Sequence, residues 1–115
     1  MFNEIFGHNA VKFNYDGSEN PYLTFEDYVL ETKSQKVKVL GVWVNPKGKY
    51  GARGVIVLDG VNLNAPAHLI KDINAIRSNP ELVDGINQGK CGLVFRTYEV
   101  DGKTFYSGRF CDWED

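Results

Sequence analysis

Residues 91–112, CGLVFRTYEVDGKTFYSGRFCD, decide the fold. Apolar and polar side chains alternate at period two on either side of Asp101-Gly102, and Asp-Gly is the dipeptide a two-residue type I′ hairpin turn favours. The pattern predicts strands over about 91–100 and 103–112. A two-residue turn also fixes the register. Val100 then faces Lys103, Tyr98 faces Phe105, Arg96 faces Ser107, Val94 faces Arg109 and Gly92 faces Cys111. The alternate pairs are Glu99 with Thr104, Thr97 with Tyr106, Phe95 with Gly108, Leu93 with Phe110 and Cys91 with Asp112. The second set contains Leu93, Phe95, Tyr106 and Phe110, so it is the core face. The first set turns outward, and it carries Arg96, Tyr98, Lys103, Phe105 and Arg109 with no acid among them.

Two aromatics among three cations are suited to single-stranded nucleic acid, because a ring stacks on an unpaired base while arginine or lysine reaches the phosphate. A duplex would call for a basic helix in the major groove. The plainer alternative is that an N-terminal element covers this face and buries Tyr98 and Phe105. The same register sends Cys91 and Cys111 to opposite faces, so two free thiols are expected.

Upstream of the hairpin, Asn64-Ala65-Pro66 offers a helix start, and Leu69, Ile70, Ile73 and Ile76 follow at helical spacing. Asn79-Pro80-Glu81 is a second start, carrying Leu82, Val83 and Ile86 as far as Gly89. Two short helices and one broken helix fit equally well, and the stripe of Leu69, Ile73 and Ile76 is expected to cover the hairpin's core face. Before it, Lys36–Val44 reads as one β-branched, aromatic strand ending in the turn Asn45-Pro46-Lys47-Gly48. Arg53–Leu58 returns, and Val61-Asn62-Leu63 resumes after a turn or bulge at Asp59-Gly60. The mixed pattern of Leu23–Lys33 favours a further strand, and residues 14–21 are a loop. Phe2, Ile5, Phe6, Val11 and Phe13 belong to a short terminal element packed on the core.

Charge is segregated along the chain. The net charge is −2, yet residues 36–58 hold Lys36, Lys38, Lys47, Lys49 and Arg53 and no acid. That segment is either a solvated hairpin guarded by lysines or an anion-facing surface. Trp43, alternating with Gly41 and Val39, reads more readily as core than as a platform, whereas Tyr50, between Lys49 and Gly51, reads as exposed.

With 115 residues, the chain suits one domain, residues 1–115, with its own core. Its apolar runs are far shorter than the roughly 20 residues a membrane-spanning helix needs. The start, MFNEIFGHNAVKF, lacks the basic and apolar regions of a signal peptide, and two cysteines do not ask for an oxidising compartment. A cytoplasmic protein is therefore expected. His8 and His68 are far apart and there is no C-x-x-C, so neither a metal site nor a cofactor is expected. No phosphate-binding glycine loop precedes a helix. His68 reads as a first-turn helix residue rather than a catalytic base, and the expectation is a non-enzyme. Asp112-Trp113-Glu114-Asp115 reads as a solvated tail or a short docking motif for a basic partner.

The predicted order of strands, helix and hairpin resembles the oligonucleotide-binding fold, a five-stranded Greek-key barrel with its helix between strands 3 and 4. The strings GVWVNPKGKYG, LNAPAHL and NQGKCGL also resemble small proteins of Gram-positive phages and mobile elements, some of them single-stranded-DNA-binding proteins of that fold. The resemblance covers roughly residues 26–112. It implies an α+β, mainly β domain and a sequence-tolerant DNA-binding protein acting in replication or recombination, as a homo-oligomer or beside a replication or recombination protein. Tyr50, Tyr98 and Phe105, with Trp43, would stack bases. Lys47, Lys49, Arg53, Arg96, Lys103 and Arg109 would hold phosphates. A competing expectation is a protein-interaction module, such as a phage-encoded inhibitor of a host protein.

Overall fold

Thr24 starts a helix rather than continuing a strand. Its side-chain oxygen accepts a hydrogen bond from the Asp27 amide at 3.1 Å, and Glu26 and Asp27 place negative charge in the first turn, where the helix dipole favours it. The helix, α1, spans Phe25–Thr32 and ends at Lys33 in the left-handed conformation. The strand expected over Leu23–Lys33 is therefore reduced to β1, Tyr22–Thr24. Phe25 and Tyr28, one turn apart, both face the core.

The computed structural model describes residues 13–45 and 52–114. The chain continues through β2 (Lys36–Lys38), β3 (Gly41–Asn45), β4 (Arg53–Leu58) and β5 (Val61–Asn64). A 3-10 turn (Ala67–Leu69), α2 (Ile70–Arg77) and α3 (Pro80–Asn87) lead to β6 (Cys91–Val100) and β7 (Lys103–Asp112). The described strands form two sheets, β1-β5-β4-β3 and β2-β6-β7, with β1 parallel to β5 and the other pairs antiparallel. The expected five-stranded barrel is thus overturned: seven described strands split between two sheets that do not close on one another.

The split occurs where one strand was expected. At Val39 the amide still bonds Cys91, on the second sheet, and at Leu40 it bonds Val57, on the first. The run Lys36–Val44 therefore changes sheets midway, and Val39 is fully buried at the crossing. The final hairpin, by contrast, pairs as predicted at all ten positions from Cys91–Asp112 to Val100–Lys103. Asp101 and Gly102 both take positive φ, 52° and 80°, as a type I′ turn requires.

The helical segment is broken at Ser78-Asn79. Asn79 caps α3 by accepting from the Glu81 amide at 3.0 Å, with Pro80 in the first turn. Leu69, Ile73, Ile76 and Ile86 are buried, but α2 lies against β3 and β4 of the first sheet. The hairpin's core face is met instead by α1. The Phe25 and Phe95 rings meet edge to face at 5.5 Å, and Tyr28 lies 5.6 Å from Phe95. One buried cluster joins both sheets and the helices, including Phe25, Val42, Ile56, Leu63, Ile73, Ile86 and Leu93.

Residues 13–21 lie over the other face of the first sheet. Asn62, almost fully buried, donates to the Gly17 carbonyl at 2.8 Å and accepts from Asn20 Nδ2 at 3.3 Å. Tyr15 accepts from the Gly60 amide at 3.0 Å. These bonds hold the segment on Val57 and Asn62, so the described N-terminal residues cover the first sheet and not the hairpin. No described helix is long and apolar enough to cross a membrane.

Candidate nucleic-acid interface

Among the described residues, only the base of the last hairpin belongs to a three-stranded sheet. β2 pairs with Gly92–Val94, and the Phe95 amide reaches Gln35. From Arg96 to Phe105 the two strands have only each other as described strand partners, and every residue in that stretch is exposed. The stretch is a two-stranded arm about 15 Å long at the usual rise per residue, on a protein whose longest dimension is 54 Å.

The two faces of the arm differ chemically. One presents Thr97, Glu99 and Thr104; the other presents Arg96, Tyr98, Val100, Lys103 and Phe105. Tyr98 and Phe105, a cross-strand pair, stack at 5.5 Å with 19° between ring planes, and they are 47% and 42% exposed. They form one apolar platform open to solvent. The alternative that Tyr98 and Phe105 are buried is overturned by this exposure. Arg109 continues the face toward the base and lines an open cleft with Val94, Arg96, Cys111 and Asp112.

Five of the expected site residues, Arg96, Tyr98, Lys103, Phe105 and Arg109, therefore share one surface. Trp43 and Arg53 do not join them. They share a face of the first sheet, where Trp43 pairs with Val55 and Arg53 with Asn45. The Trp43 ring meets the Tyr22 ring edge to face at 6.4 Å beside a cavity of about 480 Å3 lined by Phe13, Tyr15, Asp16 and Arg77. Lys47, Lys49 and Tyr50 lie outside the described residues.

The base of the surface holds groups that the expected site omitted. Lys36 and Lys38 pair with Val94 and Gly92, so they lie on the arm's aromatic face. Their ammonium groups stand 5.6 and 6.0 Å from the centre of the Trp113 ring. The indole lies on Gly92, where a Cβ would come within 3.0 Å of it. Parity alone was enough to find Trp113, since it follows Phe105, Arg109 and Cys111 at even spacing. The partnership with β2 was not readable, because nothing local links Lys36 to Val94.

Two further groups have a defined chemistry. His68 Nε2 and Ser107 Oγ lie 2.7 Å apart, joining the 3-10 turn to β7. Ser107 is buried while His68 is exposed. Burial, with Cys111 and Asp112 adding to it, pushes the Cys91 thiol up to about 11, so it is a protonated, unreactive group at neutral pH. Both cysteines are free. Among the described residues no group of three or more His, Cys, Asp or Glu side chains could hold a metal ion. No protein-family model, curated protein or solved structure matches the chain.

Proposed function

We propose that this protein binds single-stranded nucleic acid, with single-stranded DNA as the working ligand, through the aromatic and basic face of the β6–β7 arm. Binding is sequence-tolerant and involves no catalysis. The observation that carries the reading is the open Tyr98–Phe105 stack, flanked by Arg96, Lys103 and Arg109 on a face with no acidic side chain. Every base has a π face, so such a platform accepts any sequence, and the cations track the backbone. The oligonucleotide-binding barrel is not needed for this chemistry. The net charge of −2 is compatible with it, since a local basic surface attracts phosphate while the rest of the molecule stays negative.

Fluorescence titration with oligo-dT at low and high salt tests the reading. Saturable quenching that weakens steeply with salt supports it, with a slope of about −0.7 per phosphate neutralised. Tyr98→Ala with Phe105→Ala should weaken binding at least tenfold, because each stacking contact contributes about 1–3 kcal/mol. Arg96→Ala with Arg109→Ala should reduce the salt slope by about 1.4. A flat titration at high protein concentration overturns the proposal. The edge of β6 from Arg96 to Val100, which has no strand partner among the described residues, favours one other reading, a protein partner that adds a strand to the arm. Such binding would respond far less to salt.

A further inference from the structure

We infer that the surface for single-stranded nucleic acid has a second stacking platform, Trp113, at the base of the sheet, and that the strand runs between it and Tyr98–Phe105. This rests on the reading of the arm proposed above. Three observations carry it. The indole lies on the same face as the arm's aromatic pair, held over Gly92 where the floor has no side chain. The ammonium groups of Lys36 and Lys38 lie over the ring at 5.6 and 6.0 Å, so a base that stacks there displaces them toward its own phosphates. Between the two platforms the face carries Arg96, Arg109 and the buried Ser107 bonded to His68, beside an open cleft of about 510 Å3 that Asp112 also lines.

The order along the face is therefore aromatic, basic, aromatic. Charge complementarity selects the occupant: by register this face holds five cations, Lys36, Lys38, Arg96, Lys103 and Arg109, and no acid. Asp112 belongs to the opposite face by the same register but borders the cleft beside Arg96 and Arg109, and Asp59 lines a second cleft with Lys36, Lys38 and Trp113, so a carboxylate stands at the margin of each.

The length of the track sets the ligand. Six residue steps separate the Tyr98–Phe105 pair from Gly92–Cys111, or about 20 Å at the usual strand rise. A single strand at stacked spacing, about 3.4 Å per nucleotide, covers that distance in roughly six nucleotides. Affinity should therefore climb with oligonucleotide length until both platforms are reached, and then level off.

Fluorescence of the Trp43→Phe protein, in which Trp113 is the remaining tryptophan, tests this directly. Saturation with (dT)8 should quench Trp113 emission. By anisotropy of dye-labelled oligonucleotides, Trp113→Ala should weaken (dT)8 at least tenfold and (dT)3, which one platform can hold, less than threefold. Trp113→Phe should keep most of the (dT)8 affinity. Binding of (dT)8 that leaves Trp113 emission unchanged overturns the second platform and leaves the arm reading in place. Absence of binding at every length overturns both. Should Trp113→Ala fail to fold, the emission of the Trp43→Phe protein still decides.

Discussion

Arg77 Nη1 donates a 2.8 Å hydrogen bond to the carbonyl of Val42, on the edge strand of the first sheet. The alternation of hydrogen bonds across β4 points that carbonyl away from the sheet, where another strand could take it. A side chain from α2 occupies the position instead, and it guards the edge as natural sheets do with charge. Burial holds the guanidinium below its ordinary value. Arg77→Ala should lower stability by about 1.5–3 kcal/mol, the range for hydrogen bonds to charged groups. It should also promote self-association. Denaturant midpoints and light scattering at matched concentrations check the two effects, and a variant that stays monomeric would remove the edge-guarding role.

Asn62 holds residues 13–21 to the first sheet. Asn62→Ala deprives the Gly17 carbonyl of its side-chain donor and Asn20 of an acceptor, so the expected loss is about 1–3 kcal/mol. Limited proteolysis should then cut first within residues 14–20. An unchanged cleavage pattern would mean that other contacts hold the segment.

Gly108 lets α1 approach the hairpin. A Cβ there would meet Leu93 Cδ1 at 2.9 Å and Phe25 Cε2 at 3.1 Å, and both neighbours are buried. Gly108→Ala should cost about 1–3 kcal/mol through overpacking, and Gly108→Val more. Thermal unfolding of the two variants gives the order, and equal melting temperatures would contradict it.

Cys91 gives a pH signature. Its thiol ionises at about 11 in the folded protein, against 9.0 as the reference value. Below pH 9 it is protonated in both states and has no effect. Between about 9 and 11 the unfolded chain gives up its proton first, so this group makes stability fall with rising pH. In a Cys111→Ser variant, which keeps the burial that chiefly causes the shift, alkylation by iodoacetamide should rise about tenfold per pH unit through pH 10. A plateau at pH 9 would show an exposed thiol.

The last hairpin was legible because its information is local. A two-residue turn and a strict alternation leave one register, and Arg96, Tyr98, Lys103, Phe105 and Arg109 follow from it. The middle of the chain was not legible, for two physical reasons. Thr24 and Asp27 form a cap whose signal competes with the alternation of Tyr28, Leu30 and Thr32, and the cap won. Lys36–Val44 looks like one strand because both halves are β-branched, and only tertiary pairing divides them at Val39. Losing one strand and splitting another turned a barrel into two sheets. Trp43 and Arg53 went with the first sheet, away from the hairpin.

The arm has one further consequence. Beyond Phe95 each strand has a single described neighbour, and the backbone hydrogen bonds from Arg96 to Phe105 sit in water on both sides. Their amides should exchange with solvent deuterium through fraying from the tip, at a small fraction of the free energy needed to expose those of Ile56 or Leu93. A ribbon of two strands also coils more tightly than a full sheet. The arm is therefore a compliant, spiralling ribbon on a stiff base, expected to fray and re-form from its tip while the buried cluster beneath stays intact.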